Sequence, residues 1–209
     1  MLNTYLTQVT QLLHDPNNQY WSQQQLTSYI NTARNRVAQD TGCLRQLMTG
    51  YALTAGVEQY QIAALPIANI IDVMGVQLYY SVTNRQSLMY FPWTQFDARY
   101  RAWTGLTNRP EAFSRMGGLT VFFGPVPDQA YLTDWVVTIN PNILVTDATV
   151  EQIPVPFTDC VQWFAAYLAK FQEQAMQEAS FFENEYLKWI RRVQVAFMRR
   201  VIVDPYDAG

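Results

Sequence analysis

The stretches 49-TGYALTAGVEQYQIAALP-66 and 153-IPVPFTDCVQWFAAYLAKF-171 mark two changes of structure along this chain. In the first, Tyr60 and Ile62 alternate with polar neighbours, a period of two that is typical of a strand, and Gly56 breaks the segment before them. The second begins with two prolines and continues with apolar residues at helical spacing. The sequence therefore predicts helices first, a sheet over about half the chain, and helices again at the end.

Two helices are predicted before the sheet. Apolar residues at helical spacing from Leu2 to Leu13 predict the first helix, and residues 14–18 (HDPNN) end it as a turn. Ser22 and Gln25 have the spacing of a capping box, in which hydroxyl and amide satisfy free backbone donors at the start of the second helix. Gly42 is its expected terminator.

Further strands are predicted over residues 70–80, 119–123 and 131–139. The first is apolar on both faces, which predicts a central strand covered on both sides. Residues 83–86 are predicted to form a turn. Residues 90–110 have no clean period and are interpreted as an aromatic-rich excursion.

The last helix, predicted from about residue 176 to 202, has apolar residues around too much of its circumference for one buried face. One face carries Phe182, Tyr186, Trp189, Ile190, Val193, Phe197 and Val201. Other directions carry Phe181, Leu187, Val195, Met198 and Ile202. Such a helix is either central in a bundle or shared with another subunit, and the small number of predicted helices favours the second interpretation.

These elements predict an α+β fold, with a helical bundle built from the N- and C-terminal helices around a central antiparallel β-rich insertion. The predicted domains are residues 1–42 (first helices of the bundle), 43–153 (the β-rich domain) and 154–209 (the last helices and a tail).

Composition points to protein partners. The chain of 209 residues has a net charge of -3, and its 14 basic residues are twelve Arg and two Lys. This is not the profile of a strongly basic nucleic-acid binder. Aromatic residues make up 14% of the chain against 15% charged residues. Because aromatic residues and Arg are enriched at protein interfaces, the sequence favours a surface that binds other proteins.

Catalytic, cofactor-binding and metal motifs are absent from the sequence, so none of these sites is predicted. His14 is the only histidine and is expected in a surface turn, while Cys43 and Cys160 are expected to be buried free thiols. A weak enzyme alternative uses Asp97 and Glu111 as paired carboxylates. With no signal peptide and no apolar stretch of about 20 residues, we expect synthesis in the cytoplasm and no membrane span.

The order of several segments is informative as a set. They are WSQQQLTSYINTARNRVAQDTG, GVEQYQIAALP, IANIIDVMGVQL, NRPEAFS, LTVFFGPVPDQAYL and IPVPFTDCVQWFAAYLAKF. Together, over about residues 21–192, they resemble the head-to-tail adaptor proteins of tailed bacteriophages, also called neck, connector or head-completion proteins. The most specific pieces are Asn108-Arg109-Pro110, the Gly124-to-Pro127 loop with Tyr131, and the helix entry at 153–157.

The resemblance implies a structural virion protein located in the neck, at the portal vertex. It implies a ring, usually of twelve copies, that joins the portal protein to tail or nozzle proteins and extends the DNA channel used in ejection. DNA would pass through without sequence-specific binding. In such adaptors a helical bundle carries the portal contacts and a β-rich part extends toward the tail. The family has no catalytic residues or cofactors to carry over.

The predicted portal or subunit interface lies on the last helix and tail, where apolar residues and many of the chain's bases coincide. It comprises Trp189, Arg191, Arg192, Val195, Met198, Arg199, Arg200, Ile202 and Tyr206. A second function remains open at this point: a carbohydrate-binding module with stacking platforms at Tyr90, Trp93, Tyr100 and Trp103. Core packing of those aromatics is the competing interpretation.

Overall fold

The computed structural model of the chain describes residues 1–81, 84–101, 105, 107–118 and 120–197. Within these ranges, five α-helices and two four-stranded sheets make a mixed α+β fold. The chain divides into two units. The helical unit contains Met1–Cys43 and the described residues from Pro141 on, and the β unit contains Leu44–Asn140.

The helical unit draws its helices from both ends of the sequence. Numbered along the chain, they are α1 (Leu2–Leu12), α2 (Gln23–Thr41), α4 (Thr158–Gln172) and α5 (Met176–Phe197). α1, α2 and α4 each contact the other two, and α5 contacts α4 and α2. The predicted helices are therefore present, within a few residues of the expected bounds.

Local signals at the ends of α2 are confirmed. The Ser22 hydroxyl accepts the Gln25 N–H at 3.3 Å, and the Gln25 side chain accepts the Ser22 N–H at 3.0 Å. Gly42 follows the helix in a left-handed conformation, with φ 57°, and donates to the Ala38 carbonyl. Glycine reaches this conformation without steric cost, which explains its place at the end of the helix.

Residues 141–153, which the sequence analysis assigned to the β-rich domain, are grouped with the helices. Arg34 of α2 donates from Nη2 and Nε to the carboxylate of Glu151, at 2.7 and 3.0 Å. Asn31, one turn earlier, accepts the Leu144 N–H at 2.8 Å and donates to the Leu144 carbonyl at 3.0 Å. These are bonds between residues distant in sequence, so hydrophobic periodicity gives no sign of them.

The β unit holds two sheets. Its strands are β1 (Arg45–Ala52), β2 (Gln59–Gln61), β3 (Ile70–Tyr79), β4 (Arg85–Ser87), β5 (Met89–Tyr90), β6 (Ala112–Met116), β7 (Thr120–Gly124) and β8 (Leu132–Ile139). One sheet has the order β1-β8-β3-β4 and the other β2-β7-β6-β5. Neighbouring strands are antiparallel, as predicted, except that β5 and β6 are parallel.

One aromatic cluster joins the two sheets. Phe123 of β7 packs at 5.4 Å from Trp135 of β8 and at 5.5 Å from Tyr60 of β2. Tyr51 of β1 lies 5.7 Å from Trp135 and 6.1 Å from Tyr60. Edge-to-face contacts at these separations are the favoured geometry for aromatic rings. The core of the β unit is thus shared by both sheets rather than built within one.

The structure corrects two predictions in this unit. β3 is an interior strand, but it is not buried on both faces: Val73 and Val76 are buried, while Gln77 is only partly buried and Met74 is half exposed. Arg85 and Gln86, expected in a turn, belong to β4 and pair with β3 because they extend its hairpin. Thr83, from the same predicted turn, lies outside the described residues.

The aromatic excursion at 90–110 contains a short helix, α3 (Trp93–Phe96), followed by a π-helical turn over Asp97–Arg101. Gly124 at the end of β7 lies against this segment. A Cβ atom built on Gly124 would lie 2.6 Å from Tyr100 Cγ and 2.8 Å from Phe96 Cε2. The close approach requires glycine, since any side chain would overlap these rings.

We expect the buried Arg34–Glu151 pair to dominate the stability of the helical unit. The two side chains are 1% and 5% exposed, so removing one charge leaves the other buried and uncompensated. Arg34→Gln should lower the free energy of unfolding by about 3–5 kcal/mol, measured by urea titration. Arg36→Gln, on the same helix but in an exposed pair with Asp40, should cost less than about 1 kcal/mol. Equal losses of unfolding free energy in the two variants would contradict the dominant role of the buried pair.

The same pair predicts a pH dependence. Burial alone would raise the pKa of Glu151. Hydrogen bonds from Arg34 and the Ile153 N–H lower the pKa by more than burial raises it, so the pKa lies below its ordinary value of 4.5. A carboxyl with a depressed folded-state pKa stabilises above its unfolded pKa and loses that effect as pH falls through the folded value. The stability difference between the wild type and Glu151→Gln should therefore be constant above about pH 5 and shrink below about pH 4.5 in urea titrations. A difference that does not change with pH would contradict it.

Candidate interaction surface

α5 has one buried stripe, which fixes it to its own unit. The stripe comprises Ala179, Phe182, Tyr186, Ile190 and Val193. The Tyr186 ring packs at 4.9 Å from the ring of Phe164 of α4, tilted by 54°, and its hydroxyl donates to Asp40 at 2.7 Å. Burial and this hydrogen bond raise the pKa of Tyr186, so the hydroxyl keeps its proton and remains a donor. The predicted inner face is confirmed for Phe182, Tyr186, Ile190 and Val193.

Other apolar side chains of α5 are exposed. Phe181 is 56% exposed, Leu187 41% and Val195 73%. Because successive helical residues turn by about 100°, all three lie off the buried stripe. The prediction that α5 is apolar on more than one face is confirmed for these residues, while Met198 and Ile202 lie outside the described residues. α5 therefore presents apolar surface that the described part of its own chain does not cover.

The charges of α5 differ between its two ends. Near its start, Glu178 pairs with Lys170 at 2.9 Å, and Glu185 pairs with Lys188. Near its end, Arg191 and Arg192 are exposed, and neither forms an ion pair with a described residue. Two guanidinium groups without an ion pair to a described residue thus follow two paired acids, Glu178 and Glu185, along one helix.

Arg192 is held in place by an aromatic ring. Its Cζ lies 5.6 Å from the centre of the Trp189 ring, within the range of a cation–π contact. Trp189 is partly buried, Arg191 and Arg192 are exposed, and Val195 is the most exposed of the described apolar residues predicted for the interface. The other predicted interface residues, Met198, Arg199, Arg200, Ile202 and Tyr206, lie outside the described part of the chain.

A groove of about 830 Å³ runs along α2 in the same unit. Polar, uncharged side chains of α2, among them Thr27 and Asn31, line one wall, and Ile143 and Val145 line the other. Both apolar residues are largely exposed. This surface could not be predicted from the sequence, because residues 141–153 carry no periodic signal that would place them beside α2.

Three of the four aromatics proposed for sugar stacking are packed within the β unit. Trp93 lies 4.7 Å from Phe122, and Tyr100 lies 5.2 Å from Phe96. Tyr90 contacts Phe113 at 5.5 Å and is half exposed. The fourth, Trp103, lies outside the described residues. Packing within the β unit, the competing interpretation, therefore explains the presence of Trp93 and Tyr100.

The two carboxylates considered for catalysis are exposed, and the two cysteines are free thiols. Asp97 pairs with Arg101 at 3.2 Å and is exposed, as is Glu111. Cys43 and Cys160 are free thiols. Cys160 is buried as predicted, and burial raises its pKa to about 12, which leaves the thiol protonated and unreactive at neutral pH. Cys43 is only partly buried, which corrects the expectation that both cysteines are buried.

His14 lies in the turn after α1, exposed and with φ 55°. Its neighbour Asp15, which the sequence analysis treated only as part of the turn, is buried and organises that turn. Its carboxylate accepts the backbone N–H groups of Gln19, Tyr20 and Trp21 at 2.8, 2.9 and 3.1 Å. Asp preceding Pro is a turn signal, but the length of the loop it organises is not visible in sequence.

The described residues contain neither a metal-binding cluster nor a membrane-spanning helix. They contain no group of three or more His, Cys, Asp or Glu side chains placed to hold a metal ion. None of their helices has the length and hydropathy needed to cross a bilayer.

Comparison with known families identifies the chain's relatives. Residues 3–203 match the family described as SU10 adaptor protein. The chain belongs to the SU10 adaptor protein family. No curated protein matches the chain. The resemblance to phage head-to-tail adaptors is thereby confirmed at the level of the family, and the chain is a structural adaptor protein of a phage and a virion component.

The two sides of α5 in this adaptor should respond differently to truncation. Phe182→Ala removes a buried ring and should lower the free energy of unfolding by about 3–5 kcal/mol. Phe181→Ala, at the adjacent exposed position, should change it by no more than about 0.5 kcal/mol. Urea unfolding of the purified variants measures both. A large loss for Phe181→Ala would place that ring inside its own subunit.

Proposed function

We propose that this chain assembles into a ring, of twelve copies, in the neck of the virion, joining the portal protein to the tail proteins and extending the DNA channel. The family match over residues 3–203 carries the proposal, since adaptors of this kind connect other proteins. The finer elements, namely ring, copy number, portal contact and channel, follow from the resemblance noted in the sequence.

The exposed apolar residues of α5 support a role in assembly. A subunit of a ring contacts a neighbour on each side through two different surfaces. Exposed apolar surface is unfavourable in water and is relieved when a partner covers it. Phe181, Leu187 and Val195 on α5, with Ile143 and Val145 beside α2, supply apolar surface at two places on the helical unit. An adaptor that stayed monomeric would leave both exposed.

The end of α5 is the proposed portal contact. Arg191 and Arg192 offer charge that no described residue neutralises, and the Trp189 ring restricts the motion of Arg192. A restrained arginine loses less conformational entropy on binding than a free one. Val195 and the following predicted residues, Met198, Arg199, Arg200, Ile202 and Tyr206, extend this surface along the sequence. We place the helical unit toward the portal and the β unit toward the tail.

The charge distribution is compatible with DNA that slides through the ring. DNA is held mainly by Lys and Arg contacts to phosphate. In the described residues five arginines pair with carboxylates: Arg34, Arg36, Arg85, Arg101 and Arg115. The net charge is -3. A channel lined by such a chain would attract the phosphate backbone only weakly.

Negative-stain imaging of the purified chain, alone and mixed with its portal protein, tests the proposal directly. We expect a ring, either free or bound to the portal at its twelve-fold axis. A chain that remains a monomer and ignores the portal would refute the proposed assembly.

Deletion and substitution test the proposed portal contact. A chain lacking residues 199–209 should keep its unfolding midpoint but lose portal binding in a pull-down or sedimentation assay. Arg191→Gln combined with Arg192→Gln should weaken portal binding by about tenfold or more, because each charged contact is worth roughly 1.5–3 kcal/mol. Arg99→Gln, an exposed arginine in the β unit, is the matched control and should bind normally. Normal binding by the truncated chain would move the contact elsewhere.

A further inference from the structure

Two sequence motifs of the β unit meet in space. The Asn108-Arg109-Pro110 segment runs beside the loop after β7: the Asn108 N–H donates to the Val126 carbonyl at 2.9 Å. At the other end of that loop, Tyr131 donates its hydroxyl proton to Asp128 at 2.7 Å. Between them lies a pocket of about 420 Å³, lined by Tyr80, Asn108, Arg109, Glu111, Gln129 and Tyr131.

Arg109 is the unusual group in this pocket. Its Cζ lies 4.0 Å from the centre of the Tyr80 ring, the shortest such distance among the described arginines. It forms no ion pair with a described residue, and its buried Nε has no hydrogen-bond partner. A buried donor left unsatisfied costs free energy, which a ligand oxygen can recover. The stacking on Tyr80 holds the guanidinium in place without neutralising it.

The remaining groups select the ligand. Asn108 and Gln129 place side-chain amides in the pocket, and such amides suit the N–H and C=O groups of a polypeptide. The Asn108 Oδ1 already accepts the Arg109 backbone N–H at 2.8 Å, so its NH2 group is the part that would donate to a partner carbonyl. Burial and the hydrogen bond to Asp128 raise the pKa of Tyr131, so the hydroxyl stays protonated and its oxygen remains an acceptor. Glu111 lines the pocket, and Asp128 lies at its edge. These two carboxylates would repel a nucleic-acid backbone, which carries many negative charges. They would repel less strongly a peptide that brings a single carboxylate to Arg109.

We propose that this pocket is a docking site for a partner polypeptide that presents an acidic side chain, with Arg109 as its anchor. A carboxylate would accept hydrogen bonds from Arg109, and the backbone of the partner segment would bond to the side-chain amides of Asn108 and Gln129. The proposal rests on the adaptor function and makes it more specific. It assigns to the β unit a partner contact that is separate from the contact proposed for α5. The sequence motifs are then explained by the pocket they build.

The test places a photo-crosslinking residue, p-benzoylphenylalanine, at the exposed position Ala130 of the full-length chain, between the pocket residues Gln129 and Tyr131. The labelled probes are a Glu-Gly repeat peptide, a Lys-Gly repeat peptide and a single-stranded DNA oligonucleotide. We expect the crosslink yield to saturate with the acidic peptide and to stay at background with the other two. Crosslinking at residue 130 reports this pocket and not the bases of α5.

Substitutions decide whether Arg109 is responsible. Arg109→Gln should lower the apparent affinity for the acidic peptide about tenfold or more, while Arg99→Gln leaves it unchanged. Glu111→Gln, at an exposed position, removes a repelling charge and should strengthen binding about threefold or more. This variant keeps the proposal testable should Arg109→Gln fold poorly, which a thermal melt would show.

Several outcomes would overturn the pocket assignment. They are equal crosslinking of acidic and basic peptides, preferential crosslinking of DNA, unchanged affinity in folded Arg109→Gln, or weaker binding in Glu111→Gln. Imaging the Arg109→Gln chain with the portal separates the two proposals. Rings that form while peptide selectivity is absent would reject the pocket alone, and peptide selectivity without rings would reject the assembly alone.

Discussion

The buried contact between Arg34 and Glu151 is the interaction on which the helical unit depends. The chain leaves this unit after Cys43 and returns at Pro141, so the helices at the two ends of the sequence have to meet again. Arg34 connects them: besides Glu151, it donates to the Asn142 carbonyl at 2.7 Å and to the Asn31 side chain at 3.1 Å. A buried guanidinium is costly unless it is fully hydrogen-bonded, and here the returning segment supplies two of its three partners. The pair therefore specifies where that segment lies against α2.

Much of the fold could be predicted because its signals are local. Helix caps, periodic apolar residues and prolines predicted α1, α2, α4 and α5, and apolar runs predicted β3 and β8. The short strands β4 and β5 were missed, since three and two residues carry too little pattern to be recognised. The order of strands in each sheet, the parallel β5–β6 pair and the place of residues 141–153 depend on contacts between distant residues. Such contacts leave no trace in the spacing of a single sequence.

The candidate surfaces also differ in how far the sequence could predict them. A helix buries one stripe against its own chain, so counting apolar residues around α5 was enough to predict that Phe181, Leu187 and Val195 would be exposed. The pocket around Arg109 could not be predicted, although its motifs were noticed. It needs Tyr80 of one sheet's hairpin, the segment before β6 and the loop after β7, three parts of the sequence that only the folded β unit brings together.

The described arginines differ in whether a carboxylate of the same chain neutralises them, and the difference bears on function. Arg34 and Arg115 meet carboxylates of their own chain, so their charge is used within the fold. Arg99, Arg109 and Arg192 also lie over aromatic rings, but they form no ion pair with a described residue. A ring restrains the guanidinium, lowering the entropy lost on binding, yet it leaves the charge and most N–H donors available. In a chain with little net charge, restrained but unneutralised arginines are suited to recognise an acidic partner, and the described residues include such arginines in both units.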